Sequence, residues 1–314
     1  MILVTGCTGY LGFHICEYLK TKKIPFYGID NFSRSSHKNI IDKEKFLKIN
    51  ISSKHLPKLL EQKKIHTVIH AAAYSFPPES EDKKKIYYKN NILKTKIFID
   101  YCHEIKIKKF IFFSSSNVYD FSSNKIISVK ETQKLFPKNY YGQTKLIIER
   151  YLNNKFDSCY ILRLFNIAGY VNKDNFYEFK NKYRRILPVI NEAFRKKLTF
   201  KINLIKSKGK AVFPGRDFVH IKDFLEIIFL IIKKQSANNL ILNVGNNKLV
   251  HLDKIINVFE KKLKRKIVFK KIISTKGNLN YTLCNNALIK KKFKFNFKFN
   301  LDKIVKSCID KKII

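Results

Sequence analysis

Tyr141 and Lys145 stand four residues apart in Tyr141-Gly142-Gln143-Thr144-Lys145. On a helix, that spacing sends both side chains from one face. An ammonium held beside a phenol favours the phenolate and lowers its pKa from the reference of about 10. Such a pair could act as a general base near neutral pH. The spacing alone is not enough, because Tyr18 and Lys22 repeat it. The surroundings must separate the two.

The first surrounding element is at the start of the chain. Ile2-Leu3-Val4-Thr5 reads as a short buried strand, and Gly6-Cys7-Thr8-Gly9-Tyr10-Leu11-Gly12 follows it. A helical stretch then runs to about Lys20. Strand, glycine turn and helix in that order form a dinucleotide-binding loop. Its backbone approaches a pyrophosphate, and the helix N-terminus favours the negative charge. Three of the chain's 10 glycines fall within these seven residues, so an ordinary turn is a poor explanation. A second strand over 25–29 ends at Asp30, whose carboxylate suits ribose hydroxyls and repels a 2′-phosphate. That favours NAD over NADP; Arg34 is the nearby residue that could accept such a phosphate.

The same alternation continues. Strands are expected over 46–51, 67–70, 110–114 and 159–164. Helices are expected over 54–63, 87–104 and from Tyr141 to about Asn154. This implies an α/β fold: a doubly wound, Rossmann-type parallel sheet with its ligand across the strands' C-terminal ends. The glycine loop, Asp30, Ala71-Ala72-Ala73, Ser115 and Asn166 all lie at such ends. Beyond Asn166 the periodicity weakens. A loop is expected over 167–182, a helix near 187–195, a strand over 198–204 and a loop over 207–215. Arg216-Asp217-Phe218-Val219-His220 then leads into a helix over 222–232, with a strand over 240–244. A helix begins near Asp253, and irregular structure is expected from there to the C-terminus. The division read from this is a NAD-binding domain over 1–166, with 217–247 returning to it. A smaller α+β substrate-capping region takes 167–216 and 248–314.

Composition bounds the function classes. The six cysteines among 314 residues are scattered, with no Cys-x-x-Cys pair and no histidines at metal spacing. Reduced thiols in a cytoplasmic protein without a bound metal are therefore expected. The longest apolar run, Ile227 to Ile232, is far short of the roughly 20 residues a membrane span needs. No signal peptide is read at the N-terminus. The net charge of +40 suggests nucleic acid at first sight. However, Lys, Asn, Ile, Phe and Tyr are inflated together and Lys is spread along the whole chain, which reads as compositional bias. No specific nucleic-acid partner is expected, while an anionic small substrate suits such a surface.

Together these residues resemble the extended short-chain dehydrogenase/reductase family, and within it the UDP-glucose 4-epimerases. The resemblance rests on Thr5-Gly6-x-x-Gly9-x-x-Gly12, Asp30-Asn31, Ser115, Tyr141-x-x-x-Lys145, Arg163-x-Phe165-Asn166 and Arg216-Asp217-x-x-His220. It also takes in Glu79-Ser80, Tyr87-Tyr88 and Asn90-Asn91-x-x-x-Thr95. It implies that Tyr141 takes the proton of a sugar 4-hydroxyl and that Ser115 holds the reacting oxygen. Lys145 would hold the nicotinamide ribose. It further implies that Gly6, Gly9, Tyr10, Leu11, Gly12, Asp30, Asn31, Ser35, Asn50, Ile51, Ala71, Ala72, Asn90 and Phe165 bind the NAD. Ser115, Tyr141, Asn166, Arg216 and Thr282 would meet a UDP-sugar, and the protein would be a homodimer through helices near 87–104 and 140–154. The related 4,6-dehydratases carry Asp-Glu after the active-site Ser or Thr; here Ser116 and Asn117 stand there, which disfavours dehydration. Other departures fall at Asn50 (Asp in the family, though it can still accept one hydrogen bond), Ser75 (Lys) and Thr275 (a phosphate-binding Arg, with Lys276-Gly277-Asn278 following). The position limiting bulk at C2 of the sugar falls on Thr282, or on Tyr281 with a one-residue slip; a small residue there would admit an N-acetyl group. UDP-glucose and UDP-galactose are the expected pair. An epimerase of UDP-N-acetylglucosamine or another UDP-sugar and a non-catalytic nucleotide-binding relative are the alternatives.

Overall fold

Successive side chains of a strand leave opposite faces of its sheet, so a strand that is apolar at every position must be covered on both. A computed structural model describes residues 1–121, 125–153, 155–172, 176, 185–207, 209–234, 239–273 and 281–309. Its strands are β1 (Ile2–Thr5), β2 (Phe26–Asp30), β3 (Phe46–Lys48), β4 (Thr67–His70), β5 (Lys109–Ser115), β6 (Ser128–Val129), β7 (Ser158–Leu164) and β8 (Asn166–Ala168). There follow β9 (Phe200–Ser207), β10 (Lys210–Val212), β11 (Gly215–His220), β12 (Leu240–Val244), β13 (Leu249–His251), β14 (Phe269–Ile273) and β15 (Tyr281–Cys284).

Seven of them form one sheet in the order β12-β7-β5-β4-β1-β2-β3. Every pairing in it is parallel. Leu3, Val68, Phe110, Phe112 and Ile161 face one way, against Phe98 and Ile99 of the helix Lys94–Glu104 and Ile148 of the helix Tyr140–Tyr151. Val4, Ile69, Ile111, Phe113 and Leu162 face the other, against Ile15 and Leu19 of the helix Tyr10–Thr21. Phe224, Ile227, Ile228 and Ile231 of the helix Ile221–Lys233 complete that layer. The chain moves outward from β1 through β2 to β3, then returns to the other side at β4. The crevice this reversal leaves opens at the C-terminal ends of β1 and β4, where Thr5 is in register with His70.

The second half adds two smaller sheets. β11 carries β13, β15 and β8 around it, and β15 pairs with β6. β9 pairs with β10 and β14. Leu187, Ile190 and Phe194 of the helix Ile186–Lys196 pack with Ile255, Ile256 and Phe259 of the helix Leu252–Leu263.

Three expectations need correction. The helix expected over 87–104 is α-helical at Lys84–Tyr87 and Lys94–Glu104 but winds as a π-helix over Tyr88–Leu93. Within 207–215, Lys210–Val212 pairs antiparallel with β9. After the helix Leu252–Leu263 the chain is not irregular: it supplies β14, β15 and the helices Ala287–Phe293 and Leu301–Cys308. β14 and β15 are short and their partners lie more than sixty residues away in sequence, so no local pattern announces them.

Candidate active site

The glycine loop turns because Gly6 adopts φ +64, which a residue with a side chain rarely takes. A Cβ there would also lie 2.8 Å from the Ala72 amide nitrogen, so the loop and the β4 end touch through backbone. Asp30 closes the next strand. Its carboxylate accepts from the Thr8 N–H (3.2 Å), the Phe32 N–H (2.8 Å) and the Ser35 hydroxyl (3.1 Å). Gly6, Gly9, Asp30, Asn31, Ser35, Asn50, Ile51, Ala71, Ala72 and Asn90, the residues expected at the adenosine end of a dinucleotide, together line a cavity of about 100 Å³. Arg34 also lines it, but its guanidinium is ion-paired with Glu79 (2.5 Å) and lies 3.7 Å from the Tyr74 ring centroid. It is engaged with protein groups on both sides. One expectation changes here. The Asn50 Oδ1 already accepts from the Ser52 N–H and hydroxyl (3.2 and 3.1 Å), so its acceptor is spent on the local turn.

The π-helical turn makes a join that the sequence did not reveal. π-turns inside α-helices often mark functional sites. Asn91 accepts from the Tyr74 N–H, donates to the Tyr74 carbonyl (both 2.9 Å) and donates to the Thr144 hydroxyl (3.4 Å). It thereby ties the strand end that carries Ala71–Ala73 to the helix that carries Tyr141 and Lys145. The repeated Asn90-Asn91 was the available signal.

Ser115 ends β5 and caps the short turn Ser116–Val118. Its Oγ accepts from the Asn117 N–H (3.2 Å) and side-chain amide (3.0 Å). Asn117 Oδ1 accepts in turn from Asn139 Nδ2 (2.7 Å), and Asn139 caps the helix Tyr140–Tyr151. A Cβ on Gly142 would fall 2.2 Å from the Asn117 carbonyl oxygen. Glycine is therefore what lets the helix lie directly on the Ser115 turn. The two lone pairs of Ser115 Oγ are filled by these donors, which leaves its hydroxyl only to donate, and its pull on the Tyr141 phenol favours the phenolate.

Electrostatics departs from the simple expectation for the Tyr–Lys pair. Burial drives the Tyr141 phenol above its ordinary value, against the pull of Ser115. Burial also brings Lys145 down to about 7, with Glu149 one turn away opposing it. Lys145 Nζ donates to the Phe113 carbonyl (2.8 Å) and lies 5.8 Å from the Tyr141 ring centroid. The ammonium is itself disfavoured and does not lower the phenol's pKa. Below the pair, His70 is held neutral, near 3, by burial and by Lys145. Glu149 receives Arg163 at 2.7 Å in a pair that is 3% and 4% exposed, and it also accepts from the Ser114 hydroxyl. Sequence reasoning missed Glu149, although it lies one turn beyond Lys145.

Tyr141, Lys145 and Ser115 line a second cavity of about 670 Å³ together with Tyr10, Leu11, Gly12, Phe165, Asn166 and Arg216. Burial pulls the Arg216 guanidinium down to about 10. Thr282 does not line the cavity among the described residues, but it pairs in register with Arg216 on the adjacent strand. In-register neighbours share a sheet face, so Thr282 is the one on the Arg216 side. Tyr281 pairs with Gly215 and stacks edge-on against His251. Thr275, Lys276, Gly277 and Asn278 lie outside the described residues. His220 is structural: it caps the following helix through Lys222 N–H (3.0 Å) and stacks on Phe299.

Residues 2–245 match the NAD dependent epimerase/dehydratase family. The chain belongs to this family. Among its members it is similar to a UDP-glucose 4-epimerase of Lacticaseibacillus casei, 28% identical over 245 residues that cover 76% of this chain and 73% of the relative. It is also similar to a dTDP-D-glucose 4,6-dehydratase of Dictyostelium discoideum, 29% identical over 285 residues, spanning 82% of this chain and 62% of that protein. In fold it matches the UDP-glucose 4-epimerase of Bifidobacterium longum solved in complex with NAD+ and UDP, with a TM-score of 0.88, 20% identity and coverage of 98% and 96%. The family name spans two reactions, and the described lining of the larger cavity bears on the choice. It contains no Asp or Glu, and Asn117 holds its place with both ends of its amide bonded.

Proposed function

We propose that the protein is an NAD-dependent epimerase that inverts C4 of a UDP-hexose, interconverting UDP-glucose and UDP-galactose. The observation that carries this reading is the convergence of Ser115, Tyr141 and Lys145 on the cavity of the glycine loop, with no carboxylic acid in its described lining. A dehydratase must protonate a leaving hydroxyl, and the residues after Ser115 offer no acid for it. Oxidised NAD in the cleft from Asp30 to Lys145 would supply the acceptor that takes hydride from C4 and returns it, together with a positive charge near the phenol.

Each residue has a role that follows from its surroundings. Tyr141 takes the 4-hydroxyl proton as C4 is oxidised and returns it after the 4-keto sugar presents its other face. Ser115 steadies the reacting oxygen and stabilises the phenolate by donating to it. Lys145, buried and anchored on the Phe113 carbonyl, holds the nicotinamide ribose. Arg216 pairs with phosphate and Asn166 with the sugar nucleotide. Residues 1–166 and 217–247 would hold the cofactor, with 167–216 and 248–314 closing over the substrate. The protein would work as a cytoplasmic homodimer. Ile86, Leu93 and Ile97 along 84–104 and Ile147 on the helix Tyr140–Tyr151 are exposed, which supports a second copy packing there. The six cysteines are unpaired and buried, in keeping with a reducing compartment.

A second reading, the N-acetylglucosamine pair, is favoured by Thr282. It is small, buried and in register with Arg216, and its hydroxyl has no hydrogen-bond partner among the described residues. The test is to incubate purified protein with UDP-galactose, then with UDP-N-acetylgalactosamine, without added reductant. Formation of UDP-glucose is expected. If neither substrate is converted while NAD stays bound, the epimerase reading is lost.

A further inference from the structure

Between Arg216, which lines the larger cavity, and His220, which caps a helix, stands Asp217, which does neither. It is fully buried on β11. Among the described residues its carboxylate is held by backbone N–H groups, not by a cation. Oδ1 accepts from the Asn246 N–H at 2.7 Å. Oδ2 accepts from the Asn247 N–H at 2.9 Å and from the Cys284 N–H at 3.1 Å. Asn246 and Asn247 form the turn between β12 and β13, where Asn247 takes φ +57. Cys284 ends β15. One carboxylate thus joins three pieces of chain: β11, β15 and the turn leaving β12, the edge strand of the seven-stranded sheet.

Those pieces carry the residues expected at the sugar nucleotide. Arg216 directly precedes Asp217. Thr282 lies two residues before Cys284 and pairs in register with Arg216. The Asn166 amide donates to the Asp217 carbonyl at 3.1 Å. Asp217 is not among the described residues lining the cavity, so it acts on a ligand only through these neighbours. We propose that Asp217 is a positioning residue for the sugar nucleotide: by clamping β11 to β15 and to the turn after β12, it sets where Asn166, Arg216 and Thr282 stand. The inference rests on the UDP-sugar reading and deepens it. Asp223 offers a matched contrast. It is also buried, and its carboxylate accepts from the backbone N–H groups of Lys298 (3.1 Å) and Phe299 (3.1 Å). It ties the helix Ile221–Lys233 to that segment, and none of the three residues lines the larger cavity.

The experiment compares the parent, Asp217→Asn and Asp223→Asn on whichever UDP-sugar the parent converts. An amide keeps one acceptor oxygen and turns a donor toward N–H groups, so either variant breaks its own clamp. Asp217→Asn should raise KM roughly 10-fold with kcat within about threefold, the pattern of lost binding rather than lost chemistry. Asp223→Asn should keep the parent's KM although it too loses stability. A parent-like KM in Asp217→Asn, or an equal rise in both variants, overturns the proposal, because a merely structural carboxylate would behave alike at either place. Should Asp217→Asn fail to fold, the parent decides. Coupling between sites is reciprocal, so UDP should slow hydrogen exchange at the Asn246, Asn247 and Cys284 amides and leave those of Lys298 and Phe299 unchanged. No slowing, or the same slowing at both places, overturns the proposal. A parent that neither converts a UDP-sugar nor binds UDP gives a different result: the UDP-sugar reading fails, and the proposal falls with it.

Discussion

Tyr18-x-x-x-Lys22 and Tyr141-x-x-x-Lys145 share one spacing, the first running off the end of the helix Tyr10–Thr21 onto its C-cap and the second lying wholly within the helix Tyr140–Tyr151, yet only the second lines a chamber where it can do chemistry. The Tyr18 hydroxyl donates to Glu226 Oε1 at 2.9 Å, and Lys22 Nζ lies 5.4 Å from the ring centroids of Tyr18 and Phe229. Neither residue lines the two cavities. Burial raises the Tyr18 phenol and so does Glu226, because a carboxylate acceptor stabilises the protonated form. Tyr141 is raised by burial as well, but its side-chain partner is Ser115, which donates and pulls the other way. The first pair is held by an acceptor on a half-exposed flank and the second by a donor in a chamber. Spacing makes two groups neighbours; the sign of the third partner decides what they can do.

The sharpest way to break this comparison is to remove each hydroxyl. Tyr141→Phe should lower kcat by roughly 10²- to 10⁴-fold, the usual worth of a positioned base, with NAD still bound. Tyr18→Phe should stay within about twofold of the parent, as surface changes usually do. Equal effects in a UDP-galactose assay would erase the distinction drawn here.

The carboxylates behind the two pairs should differ next. Glu149→Gln leaves Arg163 buried without its counter-charge and should cost about 3–5 kcal/mol in urea unfolding. Glu226→Gln, on the Tyr18 side, should cost under about 1 kcal/mol. A small loss for Glu149→Gln would mean that Arg163 finds another partner.

The smallest expected effect is a pH dependence confined to the catalytic pair. Lys145 releases its proton near pH 7 in the folded protein and near 10.5 when unfolded. Between those values the unfolded chain binds more protons, so this site's contribution to stability rises with pH. From pH 7.5 to 8.5 the parent should gain about 1 kcal/mol relative to Lys145→Met. The same comparison with Lys22→Met should show no such slope. Parallel profiles for parent and Lys145→Met would show that the buried amine keeps its ordinary pKa.

Much of the nucleotide-binding half was legible because its signals are local. Ile2–Thr5, the glycine loop and Asp30 lie within thirty residues, and each reads from its own neighbours. Asn91 was visible only as half of a repeated pair, because its function depends on a π-turn and on Tyr74 and Thr144 across the fold. β14 and β15 were missed because runs of only five and four residues become strands only when β9 and β11 are there to pair.

By itself the sequence determined the alternation of strand and helix, the turn that only glycine can make and the adjacency of Tyr141 and Lys145. All of these follow from backbone geometry over a few residues. The tertiary structure decided the protonation of that pair, the engagement of Arg34 by Glu79 and the gathering of Ser115, Tyr141, Lys145 and Arg216 into one chamber. Those depend on desolvation and on charges brought close through space, which residues far apart in the chain create only once it has folded.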